Sequence, residues 1–396
     1  MMSESKAPDF DAYGLLRATH SHVSAPLRSV LDMCHWHYLY IIGKAVEKMK
    51  PMTERKEKIY IEIVRLVAIL LVLYCHTSVN GLLYFQQGKG NRSSQLAIFI
   101  YPVAAGCVQL FFMISGALLL QKKESIGTVF RNRFFRFLSV TLVAVLVYYL
   151  LDGENLSVKG YFNALYSGGS LTQHWFLYAY LSFLLILPFL QRLVAAISED
   201  RFYWYLWGMG VLFGLGLPAF QQISGFDPVG INVPFLEQII FYPLIGYFLD
   251  SRVIPWIVES RNRKWISFSL MAGLLLILSV TYSLNRQSLV TAGTLAYASW
   301  SHVLMVPGIY LLAGVFFAGL RQDSLPGKML TFLGSGVFGT YLMEQMIRDR
   351  LFFLLEKWVY LIPEYFACWL WILVCVLCGI LITNLLKLIP LLKKFL

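Results

Sequence analysis

Charged side chains are scarce: Asp, Glu, Lys and Arg make up 14% of the 396 residues, against about 25% in soluble globular proteins. That deficit excludes an ordinary water-soluble domain. The six cysteines (Cys34, Cys75, Cys107, Cys368, Cys375 and Cys378) lie mostly within apolar runs and without paired C-x-x-C motifs, which argues against a disulfide framework or a zinc site. No internal repeat or tandem domain is visible. No apolar core with a cleavage site follows the first residues, so a signal peptide is not expected. Acidic residues are few as well, 22 against 33 Lys plus Arg, for a net charge of +11. In so apolar a chain this excess matches the basic cytoplasmic loops of a membrane protein and not nucleic-acid binding.

What the chain has in abundance is apolar sequence, 58% hydrophobic residues, arranged in runs long enough to cross a bilayer as helices. The fold class expected is all-α, a polytopic integral membrane protein with about ten transmembrane helices. The first run is 59–79, followed by nine at about 97–120, 134–151, 174–191, 202–220, 234–250, 265–284, 298–319, 330–353 and 366–390. With both termini placed in the cytoplasm of a multi-pass cell-membrane protein, most Lys and Arg fall in inner loops, as the positive-inside rule requires. The domains are then an amino-terminal arm, 1–58, a membrane domain, 59–390, and a short basic tail, 391–396. Within the arm, Trp36, Tyr38, Leu39, Tyr40, Ile41 and Ile42 give way to Lys44, Lys48 and Lys50, a composition suited to an interfacial helix. His20 with His22 and His35 with His37 stand at i, i+2, which does not share a helix face, so no metal site is expected.

The first run, IYIEIVRLVAILLVLYCHTSV, carries a glutamate, an arginine and a histidine. On a helix Glu62, Arg65, Ile69, Val72 and His76 step by three or four, so the ionisable groups fall on one stripe. Each costs about 2.5–3.5 kcal/mol at mid-membrane on insertion scales, and pairing or function must offset that cost. Arg65 and His76 are separated by roughly 16 Å of helical rise, which puts them at different depths. Cys75 adjoins His76, but neighbouring helical residues point roughly 100° apart, and a Cys-His dyad is not expected.

Between the second and third runs lies QKKESIGTVFRNRFFRF, with Arg133 and Arg136 on one helical face and Arg131 beside them. Arginine forks at a helix start can clamp phosphates, as in a diphosphate or a nucleotide 3'-phosphate. The same cations also satisfy the positive-inside rule without any ligand.

Taken together, Arg65, ten residues and His76, then FFMISG at 111–116, Arg133-Phe-Phe-Arg136, QHWFLYAYLSFLLILPFLQ at 173–191 and LIGYFL at 244–249 resemble acyltransferase family 3 membrane proteins over about residues 59–390. The branch most similar includes the WecH-type O-acetyltransferases. The resemblance implies a polar cavity open toward cytoplasmic CoA. It also implies acetyl-CoA or another acyl-CoA as co-substrate, with no bound cofactor. The acceptor it implies is a hydroxyl of a cell-envelope glycan or lipid-linked sugar. By the same resemblance His76 is the general base, Glu62 and Arg65 orient it and balance charge, and Arg133 and Arg136, assisted by Arg131, bind the CoA phosphates. Many members end a late span in Tyr-Leu-x-His, whereas this chain reads TYLMEQMIR with Glu344 in the histidine's place. Glu344 stands i, i+4 from Arg348, so it serves either as a structural ion pair or in the active site.

Further acceptor-site candidates are Ser115 in FFMISG, His174 and Trp175 at the mouth of the fourth run, Glu237 and Tyr242 in the sixth, and His302 in the eighth. Small residues such as Ser115 also serve close helix packing, and a terminal tryptophan also serves as an interfacial anchor. The competing function is a transporter or flippase of polar or lipid-linked sugars, for which broken helices or an inverted repeat between halves would be the sign.

Overall fold

A computed structural model describes residues 58–153, 157–168, 172–226, 230–292, 295 and 299–393. The readings for the arm before Lys58 and for the end of the tail lie outside the described residues. Every regular element among the described residues is helical. Five stretches are long and apolar enough to cross a membrane by length and composition: Arg92–Leu119, Ile126–Leu151, Trp175–Ala196, Arg263–Val290 and Glu364–Leu386. Exposed side chains on two of them, such as Leu151 at 60% and Trp265 at 73%, are apolar ones that suit a lipid boundary.

The first run forms α1 (Ile59–Cys75), which stops short of the expected 79. Thr77 ends it: its hydroxyl donates to the Tyr74 carbonyl at 2.6 Å and accepts the Leu82 amide at 2.9 Å, and Ser78 follows with φ of 51°. His76 therefore stands as the cap residue just past the helix. The start of α1 is tied down as well. Lys58 Nζ donates to Asp250 Oδ2 at 2.7 Å and to the Asp250 carbonyl at 3.1 Å, and the Tyr60 hydroxyl donates to Asp250 Oδ1.

Packed against α1 are α2 (Arg92–Ala105) and α3 (Cys107–Leu119), which meet at Gly106. A π turn, Phe130–Phe134, leads into α4 (Phe135–Asp152), then come α5 (Val158–Tyr166) and α6 (Trp175–Ala196). Two expected spans are interrupted by π turns. The fifth is α7 (Asp200–Val211), a π turn at Leu212–Gly216 and α8 (Leu217–Ser224). The sixth is α9 (Gln238–Phe248), a π turn at Leu249–Val253 and α10 (Ile254–Glu259). The long α11 (Arg263–Ala292) precedes α12 (His302–Phe317). The ninth span is split at Gly336 into α13 (Leu325–Ser335) and α14 (Val337–Trp358), and α15 (Glu364–Leu386) pairs with α14.

Two of the motifs meet backbone to backbone where α3 crosses α9. A Cβ added at Gly116 of FFMISG would run into the Pro243 carbonyl, and one at Gly246 of LIGYFL into the Met113 carbonyl. Close approach of this kind is what small residues allow between membrane helices, where dispersion contacts and not water drive association. A larger residue must push a main chain, not a side chain. Gly246→Val should therefore destabilise the fold by about 1–3 kcal/mol, the cost of overpacking, seen as a lower unfolding midpoint in detergent. Gly208→Ala, at a helical site with open space around it, should leave the midpoint unchanged or raise it slightly.

Candidate active site

α1 delivers His76 to the wall of a cavity of about 600 Å³. His76 Nδ1 lies 3.0 Å from Oε1 of Glu344 on α14. Glu344 is 1% exposed and accepts three further bonds. Arg348 Nε donates to Oε2 at 2.5 Å, Arg348 Nη2 to Oε1 at 3.4 Å, and Gln173 Nε2 to Oε1 at 3.1 Å. The same arginine reaches the His76 carbonyl through Nη1 at 2.9 Å and Gln345 Oε1 through Nη2 at 2.6 Å. Tyr341 fixes Gln173 by donating to its carbonyl at 2.6 Å. Arg348 thus holds both the main chain of the histidine and the carboxylate that faces its ring.

The chemical consequence follows from the donor inventory. A carboxylate paired with arginine only accepts, so the histidine nitrogen facing it is the donor, and when the ring is neutral Nε2 is its acceptor. An oriented imidazole of this kind is equipped to take a proton from a hydroxyl in the cavity. Glu344, in the place of the family's histidine, thus forms the i, i+4 ion pair with Arg348 and also faces the His76 ring.

The cavity runs on from His76 past Val72, Val108, Phe111 and Ile114 to Arg65, Asn132, Arg133 and Arg136. Its ends are polar and its middle is largely apolar. Arg133 is held by Glu124, with Nε to Oε2 at 2.9 Å and Nη2 to Oε1 at 2.8 Å. The guanidinium holds the Glu124 carboxyl below its ordinary range. Arg136 is exposed at the rim. Arg131 bonds its neighbour Asn132 and does not line the cavity. Arg65 lines it but pairs with Glu62 at 2.6 Å, so the orienting contact to His76 comes from Glu344 and not from these two.

Of the acceptor candidates, Ser115 and Trp175 line this cavity. Ser115 Oγ donates to the Phe111 carbonyl at 2.8 Å and lies 3.3 Å from the Tyr180 hydroxyl, and Trp175 is 43% exposed. The others lie off it. His174 is buried with its ring 5.4 Å from that of Tyr148, T-shaped. Tyr242 is buried in α9. His302 Nε2 is 2.9 Å from the Pro102 carbonyl, beside the α2–α3 junction. Glu237 lines a separate pocket of about 300 Å³ with Gln221 and Asn232. Gln173, Tyr341 and Glu124 were not singled out from the sequence. Two of them carried a signal: Gln173 opens the HWFL run, and Glu124 is the acid within the basic loop.

Removing Arg348 would leave the buried Glu344 carboxylate without its cation, a change that costs about 3–5 kcal/mol at such sites. Arg348→Ala should lower the unfolding midpoint far more than Arg321→Ala, whose pair with Asp323 is exposed. Thermal unfolding of both variants in one detergent checks this.

The family model described as an acyltransferase domain, that of acyltransferase family 3, matches residues 58–388. No curated protein and no solved structure matches the chain. The matched region contains the whole cavity, from the basic loop to His76 and Glu344, and the helices that carry it. The chain belongs to acyltransferase family 3, and it is a membrane acyltransferase.

Proposed function

We propose that this protein moves an acyl group, in the simplest case acetyl, from cytoplasmic acyl-CoA to a hydroxyl of a cell-envelope glycan or lipid-linked sugar, as an O-acetyltransferase of the WecH-like branch. The observation that carries this reading is one cavity with Arg133 and Arg136 at one end and, at the other, His76, whose ring is paired with Glu344 behind it. Arginine forks suit the phosphates of CoA, and the apolar walls between the ends suit a pantetheine arm. The thioester then comes to His76 from the inner side. This arrangement answers the depth difference between Arg65 and His76, roughly 16 Å of helical rise.

In the proposed reaction the acceptor oxygen attacks the thioester carbonyl as His76 Nε2 takes the hydroxyl proton. The carbon–sulfur bond breaks, and the imidazolium returns the proton to the departing thiolate, giving the ester and free CoA. Glu344 holds the ring in the productive tautomer and balances the transient positive charge, with Arg348 and Gln173 fixing the carboxylate. Trp175 and Phe176 line the same cavity and offer aromatic faces to a sugar. We place about ten spans across the cell membrane, with both termini cytoplasmic. The basic loop at Arg131, Arg133 and Arg136 supports that orientation.

A transporter of sugars would need the passage but not the base. Purified protein given acetyl-CoA, with and without candidate glycans, should release free CoA. His76→Ala should bind CoA normally and lose about 10²-fold or more of that turnover, the scale of positioned acid–base catalysis. His76→Gln should not restore it, because glutamine cannot take a proton. Glu344→Gln should lower kcat with little change in the KM for acyl-CoA. Full turnover in His76→Gln would sink the base assignment.

A further inference from the structure

We propose that Glu124 is a positioning residue of the donor site, holding Arg133 by one edge of its guanidinium so that the opposite edge stands ready for a CoA phosphate. The inference rests on the donor reading above. Glu124 takes the Nε and Nη2 side of the group at 2.9 and 2.8 Å. Nη1 and the second Nη2 hydrogen remain, and together they form the end edge, which has the parallel geometry that clamps a phosphate with two bonds. Arg133 lines the cavity, and among the described residues no hydrogen bond is made by Nη1.

The carboxylate is itself anchored. Gln191, 4% exposed on α6, donates through Nε2 to Glu124 Oε2 at 3.3 Å and to the Leu119 carbonyl at 2.9 Å. The loop acid is thereby tied to two helices, and its hold on Arg133 is a fixed point of the structure. Arg136 differs: it lines the same cavity, is exposed, and has no ion-pair partner among the described residues. The donor end therefore presents one arginine set in advance and one left to close on the ligand.

Two opposing effects decide what Glu124 does to CoA binding. Its negative charge disfavours a nearby phosphate, an effect that water and salt screen at a loop. Its grip on Arg133 removes rotamer freedom before the ligand arrives, which lowers the ordering cost of binding. The bidentate geometry and the anchoring by Gln191 favour the second effect. The inference is therefore that loss of Glu124 weakens CoA binding, although it makes the site more positive.

Calorimetric titration of CoA into purified full-length protein in lipid nanodiscs tests this without reference to turnover. Glu124→Ala should weaken binding about tenfold, near 1.4 kcal/mol, and Glu124→Gln by less, since one amide oxygen still accepts. In an Arg133→Ala background the Glu124→Ala change should have no further effect, because both act through one guanidinium. Should the alanine variant fail to fold, the isosteric glutamine carries the test, with the unfolding midpoint as control. Equal or tighter binding by folded Glu124→Ala or Glu124→Gln, while Arg133→Ala loses affinity, would overturn this role and leave the donor reading standing. Absence of CoA binding by the unaltered protein would overturn both.

Discussion

A carboxylate buried at the end of the first helix is the constraint on which the rest of the site depends. An ion the size of Glu344 loses several kcal/mol on leaving water. The fold answers with four contacts from three side chains: the His76 ring, two nitrogens of Arg348 and the amide of Gln173. These partners come from three distant parts of the chain. The ion pair therefore holds together the end of α1, the middle of α14 and the segment before α6, and it fixes the histidine as a by-product of its own satisfaction.

The same physics recurs at the opposite end of α1. There Asp250, 2% exposed, takes Lys58 and Tyr60, and Glu62 takes Arg65 one turn further on. Between these polar ends the helix meets its neighbours through apolar side chains, and α3 meets α9 through glycine. Membrane helices gain little from water exclusion among themselves, so close backbone approach and satisfied polar groups locate them. The cavity is what remains where aromatic side chains such as Phe111, Phe176 and Phe338 cannot close over the groups at its two ends.

The basic end and the histidine end of the cavity are built differently. At the basic end the loop residue Glu124, anchored by Gln191 of α6, braces Arg133, and Arg136 is exposed. At the histidine end His76 Nδ1, Glu344, Arg348 and Gln173 hold one another.

Periodicity and run length are local properties, and they made much of this protein legible. The sparse charge and long apolar runs specified a helical membrane chain, and the stripe on α1 with the basic loop after α3 named His76, Arg133 and Arg136 as residues of interest. Glu344 and Arg348 could be paired from their spacing alone, since i, i+4 neighbours on a helix meet wherever the helix lies. Hydropathy does not register a π turn, so the breaks at 212–216 and 249–253 and the split at Gly336 were not visible. Nor does residue type say which way a polar side chain points, and Glu237, Tyr242 and His302 proved to face elsewhere. The meeting of His76 with Glu344 spans 268 positions, and that of Gly116 with Pro243 joins two separate helices. Contacts of this kind leave no periodic trace in the chain, because they are fixed by how helices cross; the sequence by itself determined which segments became helices and which groups needed partners, and only the tertiary structure decided which partners they found.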